Sequence, residues 1–179
     1  MAWRRQPQGD PDDPDGVSHL LRNLHTQLGG PPLGGTRFLQ STRDMLRLTR
    51  TIEALVFGEP TTLYAGFQSA DMLAKECREF TALTASGTRV VAFGTGSPAC
   101  ECGVRWVQVP VDAYALENQW YLVTAAPRPQ ALVAFRIAGA ARLAAHSGDG
   151  KLWEGFLSED DRLVDALITH LEDVAERYG

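Results

Sequence analysis

The chain has 179 residues, 44% of them hydrophobic, and a formal charge of −5, enough length and apolar content to bury a full core as one domain. The acidic balance argues against a nucleic-acid-binding face, because neutralising phosphates takes clustered Lys and Arg, and only "MAWRR" at the start is locally basic. No uncharged apolar run approaches the ~20 residues that span a bilayer.

A signal core is also missing from the opening residues. Three cysteines, an odd number, fit a reducing compartment better than a disulfide framework. A cytoplasmic protein with no membrane partner is expected.

Residues 1–16, "MAWRRQPQGDPDDPDG", hold three prolines, two glycines and four aspartates. Such a stretch buries too little apolar surface to offset the entropy of ordering, so it reads as a disordered tail. In "VSHLLRNLHTQL", Val17, Leu20, Leu21, Leu24 and Leu28 fall at helical spacing. Residues 17–36 therefore read as a short amphipathic helix with a Gly/Pro linker, "GGPPLGG". A helix this short is marginal alone, and an apolar stripe left in water costs ~25 cal/mol for each Å² that could be buried. The helix should dock on the body or on a second copy, and exchange of a tethered arm leads readily to a two-fold dimer. A homodimer is expected, with Leu20, Leu21, Leu24 and Leu28 as interface candidates.

The body spans residues 37–179. "STRDMLRLTRTIEALVF" sets Met45, Leu48 or Thr49, Ile52 and Val56 on one helical face, with Ser41 and Asp44 available as caps and Gly58 and Pro60 as the stop. "TTLYAGF" reads as a strand. "SADMLAKECREFTALTASG" reads as one helix capped by Ser69, with Met72, Leu73, Glu76, Phe80 and Leu83 on a face. "TRVVAF" is a strand again, so residues 61–93 form a β-α-β unit with parallel pairing. "VRWVQVPV" alternates as a strand does, and "QWYLVTA" and "ALVAFRI" flank "APRPQ" as a hairpin. "GAARLAAHSGDGK" reads as a loop or a poor short helix. "SEDDRLVDALITHLEDVAERYG" closes as a helix capped at Ser158, with Leu163, Leu167, Leu171 and Val174 along its buried stripe. The fold class that follows is α/β: a mixed sheet of about five strands with helices packed on it, containing one β-α-β unit and a C-terminal hairpin plus helix.

The stretch "RVVAFGTGSPACECGVRWVQV" concentrates the chemistry-bearing residues. "GTGSPA" matches the dinucleotide fingerprint in letters, but the fingerprint works by aiming a helix N-terminus at a pyrophosphate. Here "ACECG" and another strand follow, so no nucleotide cofactor is expected. Cys100 and Cys102 could chelate, yet a closed zinc site needs four ligands, and His19, His25, His146 and His170 show no paired spacing. A surface loop with two thiols and no metal is expected, and replacing Cys77, Cys100 and Cys102 by Ser should then be silent. No G-x-S-x-G elbow, H-E-x-x-H or EF-hand spacing is present. Trp106, Trp120 and Trp153 each sit beside alternating apolar residues and read as core. Glu53 lies near the apolar stripe of its helix, and Gln68 sits where a strand gives way to a loop.

Several pieces together resemble the DICT domain, a sensory module of diguanylate cyclases and two-component systems. They are "LTRTIE" (48–53), "YAGFQ" (64–68), "RVVAFG" (89–94), "ENQWYLVTAAPRPQALVAF" (117–135) and "KLWEGFLSEDDRLVDALITHL" (151–171), in that order, so the resemblance runs from about Ser41 to the C-terminus. It implies a role in bacterial signal transduction with no known reaction and no catalytic residue. A chain of this length has no room for a cyclase, kinase or DNA-binding domain, and would signal by binding another protein. The expectation is thus a non-enzymatic sensory or adaptor domain that binds a small ligand, a partner protein or both. Open α/β sheets place their crevices at strand ends, which makes Gln68, Gly94, Gly96 and Glu53 the ligand-binding candidates. Two alternatives are a small-molecule enzyme using Glu53 or a thiol for acid–base or nucleophilic work, and a regulator acting with a DNA-binding or stress-response partner.

Overall fold

The computed structural model describes residues 35–110, 119–137 and 151–179. The expected tail, the helix bearing Leu20, Leu21, Leu24 and Leu28, and most of "GAARLAAHSGDGK" lie outside the described residues. In chain order the elements are β1 (Thr36–Ser41), α1 (Thr42–Val56), β2 (Thr62–Ser69), α2 (Ala70–Lys75), α3 (Cys77–Ala85), β3 (Arg89–Thr95) and β4 (Arg105–Gln108). They continue with β5 (Gln119–Thr124), β6 (Gln130–Arg136), β7 (Leu152–Ser158) and α4 (Asp161–Tyr178). One seven-stranded sheet runs β1-β7-β6-β5-β2-β3-β4. Strands β2, β3 and β4 pair in parallel, and every other neighbouring pair is antiparallel.

The α/β class, the β-α-β unit and the hairpin match the sequence reading, but the sheet has seven strands where about five were expected. The two additional strands are β1 and β7, which pair with each other at one side of the sheet. Neither advertises itself. In β7 the alternation is broken by Glu154 and Gly155, and the glycine is there because a Cβ would stand 2.2 Å from the carbonyl oxygen of Val133 on β6. β1 is an edge strand with Leu39 exposed, so half of its short pattern carries no burial signal.

Burial follows the two faces of the pleat. On one face Leu63, Ala65, Leu122, Leu132 and Trp153 pack against Met45 and Ile52 of α1, Leu73 of α2 and Phe80 of α3. On the other, Tyr64, Val123, Val133 and Phe156 pack against Leu163, Leu167, Leu171 and Val174 of α4, the stripe read from the sequence. Helices thus cover both faces. Among the described residues no helix is long and apolar enough to cross a membrane.

Ser41 caps α1 as expected: its Oγ accepts from the Asp44 amide at 3.3 Å and donates to Asp44 Oδ2 at 2.8 Å. Two other expectations about helix ends need correction. The single helix after β2 is divided at Glu76, whose φ of −104° and ψ of 7° leave the helical range, and Ser69 makes no side-chain cap there. The last helix is capped by Asp160 and not by Ser158. Asp160 Oδ1 accepts from the amides of Arg162 (3.0 Å) and Leu163 (3.4 Å), while Ser158 Oγ accepts from the Asp160 amide. Asp160 is partly desolvated, but Arg162 and those two amides outweigh this and hold its carboxyl below the usual carboxylate range.

Two indoles fasten α1 to the sheet. Trp120 Nε1 donates to Thr49 Oγ1 and Trp153 Nε1 to Thr42 Oγ1, each at 3.0 Å. The rings meet edge to face at 5.3 Å and 83°, the arrangement their quadrupoles favour. This fixes the rotation of α1, and with it the direction in which the next turn of the helix points Glu53.

Candidate functional site

Glu53 stands on the buried face of α1, one position after Ile52, where helical spacing would ordinarily place an apolar residue. Arg50, one turn earlier, donates from Nη1 to Glu53 Oε2 at 2.6 Å, and its Nη2 pairs with Glu76 at the junction of α2 and α3. Only one carboxylate oxygen of Glu53 is satisfied. Oε1 is buried and has no hydrogen-bond partner. Desolvation by burial pushes the Glu53 carboxyl above the usual range. Arg50 opposes the shift, and the negative charges of Glu76 and Glu79 add to it.

Glu53 borders a small pocket between α1, the end of β2, α2–α3 and β5, with a cavity volume of about 50 Å³. Its walls include Phe67, Phe80 and Trp120, with Met72 and Gln68 completing the rim. The only hydroxyl among the residues lining it, that of Thr49, is engaged by the Trp120 indole. One guanidinium between two carboxylates leaves the cluster with a net negative charge. The pocket is therefore an apolar, aromatic sleeve bordered by a carboxylate with one unused oxygen, a combination suited to an N–H or O–H donor carried on a small apolar body.

The structure brings two of the four ligand-binding candidates, Glu53 and Gln68, to this one pocket. Gln68 also has a structural task. The β2–β5 ladder ends at the pair of Gly66 and Tyr121, β2 becomes irregular beyond it, and the Gln68 side-chain amide reaches the Gln119 carbonyl at 2.9 Å in place of the lost backbone pairing. Gly94 and Gly96 do not line the pocket. A Cβ on Gly94 would stand 2.4 Å from Trp106 Cη2, so this glycine is what lets the indole lie across β3. Gly96 has a φ of +78°, and its carbonyl accepts from Trp106 Nε1 at 2.8 Å. The glycine pair shapes a turn clamped by Trp106, and strand β4 follows without an intervening helix.

Arg50, Glu76 and Trp120 also belong to the site, although the sequence places Glu76 on a helix face and Trp120 in the core and singles out neither for a site. Arg50 and Glu53 at i, i+3 were an available signal. Trp120 reads as core from its apolar neighbours, and in the structure it is a half-buried pocket wall.

The cysteines also differ from expectation. Cys102 is buried and Cys100 half-buried, so the loop is not a pair of surface thiols. Cys77, the first residue of α3, joins them, and all three Sγ atoms lie within 4.8 Å of one another. All three are free thiols. The Cys77 thiol, burial and the Cys102 thiol together push Cys100 up to about 12.

A wider groove of about 570 Å³ lies at the opposite ends of β2 and β3, beside α4. Its central polar groups satisfy one another. The Tyr64 hydroxyl donates to Glu172 at 2.6 Å, and Arg105 donates to the carbonyl of Ala175 at 3.1 Å. Among the described residues, no buried side-chain atom there lacks a hydrogen-bond partner as Glu53 Oε1 does. In comparisons with known proteins, no family model, no curated protein and no solved structure matches this chain.

Proposed function

We propose that this chain is a non-enzymatic sensory domain that recognises a small apolar molecule tipped with an N–H donor, an organic ammonium above all. The observation that carries the reading is that Glu53, which borders an aromatic-walled pocket, has a buried Oε1 with no hydrogen-bond partner. Leaving a buried acceptor unmet costs about 1–3 kcal/mol, and a donor arriving with the ligand recovers that energy. The net negative cluster favours a cation over a neutral donor, and the aromatic rings of Trp120, Phe67 and Phe80 line the pocket beside it. A cavity of about 50 Å³ accepts the charged tip, with the apolar remainder lying toward the opening.

The resemblance to DICT domains supports the sensory part of the proposal, since its separate pieces converge. "LTRTIE" supplies Thr49 and Glu53, "YAGFQ" supplies Phe67 and Gln68, and "ENQWYLV" supplies Trp120 to the same pocket. Ligand entry between α1 and the α2–α3 junction would bear on the Arg50–Glu76 pair, a route by which occupancy reaches the surface seen by a signalling partner. A thermal-shift screen of short alkyl- and arylammonium ions against equally long alcohols and carboxylates tests the reading. Ammonium compounds should raise the melting temperature of the protein and fail to do so for Glu53→Ala. Equal responses across the three chemical classes would refute it.

A further inference from the structure

We propose that Cys77, Cys100 and Cys102 form a three-thiolate binding site for a thiophilic d10 cation, Zn²⁺ or Cu⁺. The three sulfurs come from two separate elements, the first residue of α3 and the loop between β3 and β4, and converge to within 4.8 Å of one another. A cation bound at ~2.3 Å from tetrahedrally placed sulfurs holds them about 3.8 Å apart. Cys100 Sγ and Cys102 Sγ are already 3.7 Å apart. The cage needs closing by no more than about an ångström to reach ligation distances.

The surrounding hydrogen bonds hold this arrangement in place. Thr84 Oγ1, on α3, donates to the Cys102 carbonyl at 2.7 Å and so ties the C-x-C loop to the helix that carries Cys77. Thr81 Oγ1 donates to the Cys77 carbonyl, also at 2.7 Å. Gly103 runs at a φ of +72°, where a Cβ would press on Thr84 Oγ1 at 2.9 Å, so the loop lies as close to α3 as a side-chain-free residue permits. An all-sulfur set selects Zn²⁺ or Cu⁺ over Mg²⁺, Ca²⁺ or Mn²⁺, which prefer oxygen. Three protein ligands complete a trigonal site, which suits Cu⁺. For Zn²⁺ they leave the fourth position to water or an exogenous ligand, as in sites that exchange or react.

The test uses the untagged full chain, reduced and handled without oxygen. Titration with Co²⁺ as a spectroscopic stand-in for zinc should give one equivalent with thiolate-to-cobalt charge-transfer absorption, displaced by Zn²⁺, and a parallel Cu⁺ titration against a competing chelator decides between the two ions. Loss of a supporting partner alone typically weakens a metal site roughly 10–100-fold, so Cys77→Ser should weaken binding by about 100-fold or more. Alkylation read by mass spectrometry gives a second measurement that needs no variant. Bound metal should protect Cys77 together with Cys100 and Cys102. Absence of stoichiometric binding by either ion, unchanged binding by Cys77→Ser, or protection of the C-x-C pair without Cys77 would each overturn the proposal.

Discussion

Arg50 grips one oxygen of Glu53 at 2.6 Å and leaves the other buried and unbonded. The guanidinium cannot serve both, because its second nitrogen is committed to Glu76. The half-satisfied carboxylate is thus a consequence of sharing one cation between two anions, and it fixes where an incoming donor would be held.

The same relationship sets a pH dependence. The Glu53 carboxyl is raised above its ordinary value of 4.5 in the folded state, so folding binds its proton more tightly than the unfolded chain does. Its contribution to stability is complete below the unfolded value and is lost as pH rises through the folded value. Urea unfolding at a series of pH values should show stability falling above about pH 4.5 by a component that Glu53→Gln removes. Identical profiles for the two proteins would mean that burial does not perturb this group.

Thr42 and Thr49 should differ in importance although their bonds to the indoles are equally long. Trp153 is 3% exposed, so Thr42→Val strands its N–H where water does not reach, at a cost of about 1–3 kcal/mol. Trp120 is half-buried, water can replace the lost partner, and Thr49→Val should cost about 0.5–1.5 kcal/mol. Equilibrium denaturation of the two variants checks the order, and a larger loss for Thr49→Val would contradict it.

The glycine turn makes a contrasting pair. Gly94→Ala forces a Cβ against Trp106 and the Phe67 carbonyl, and overpacking of this kind costs about 1–3 kcal/mol. Gly96→Ala meets nothing closer than 3.8 Å, so its cost is the strain of positive φ alone, about 1–2 kcal/mol. Both should lower the melting temperature, and Gly96→Ala should leave the ammonium response intact. A Gly96→Ala protein of full stability that has lost its ligand response would return the glycines to the binding site.

At the other end of the sheet, burial first and Glu172 second raise the Tyr64 phenol above its ordinary value of 10.0. Its neutral form is therefore favoured by folding, and the associated stability is present below pH 10.0 and lost as pH rises further. Tyr64→Phe should lose the 2.6 Å bond to Glu172 at neutral pH and show a shallower decline in alkaline unfolding. Parallel alkaline profiles would assign that decline to the buried Tyr121 or to other groups.

What the sequence made legible is what periodicity carries. The apolar stripes of α1 and α4 and the alternation around the hairpin each repeat over enough residues to stand out. The break at Glu76 has no Gly or Pro to announce it, so two helices read as one. Glu53 is visible as a charge near an apolar stripe, and Gln68 as the residue where a strand is expected to give way to a loop, although β2 runs on to Ser69 and a helix follows directly. Arg50, Glu76 and Trp120 join them only through tertiary contact. Cys77 is visible as a thiol, but its meeting with the C-x-C pair is a tertiary contact that nothing near it in the chain announces.

Calorimetric titration of the full chain and of Glu53→Gln with the best ammonium compound from the screen tests the binding site most directly. The wild-type protein should bind one equivalent. The isosteric variant, folded to the same extent, should bind about 10–100-fold more weakly, the effect of losing a hydrogen bond to a charged group. Equal affinity in the two proteins would contradict the assignment of Glu53 as the anchor of the site.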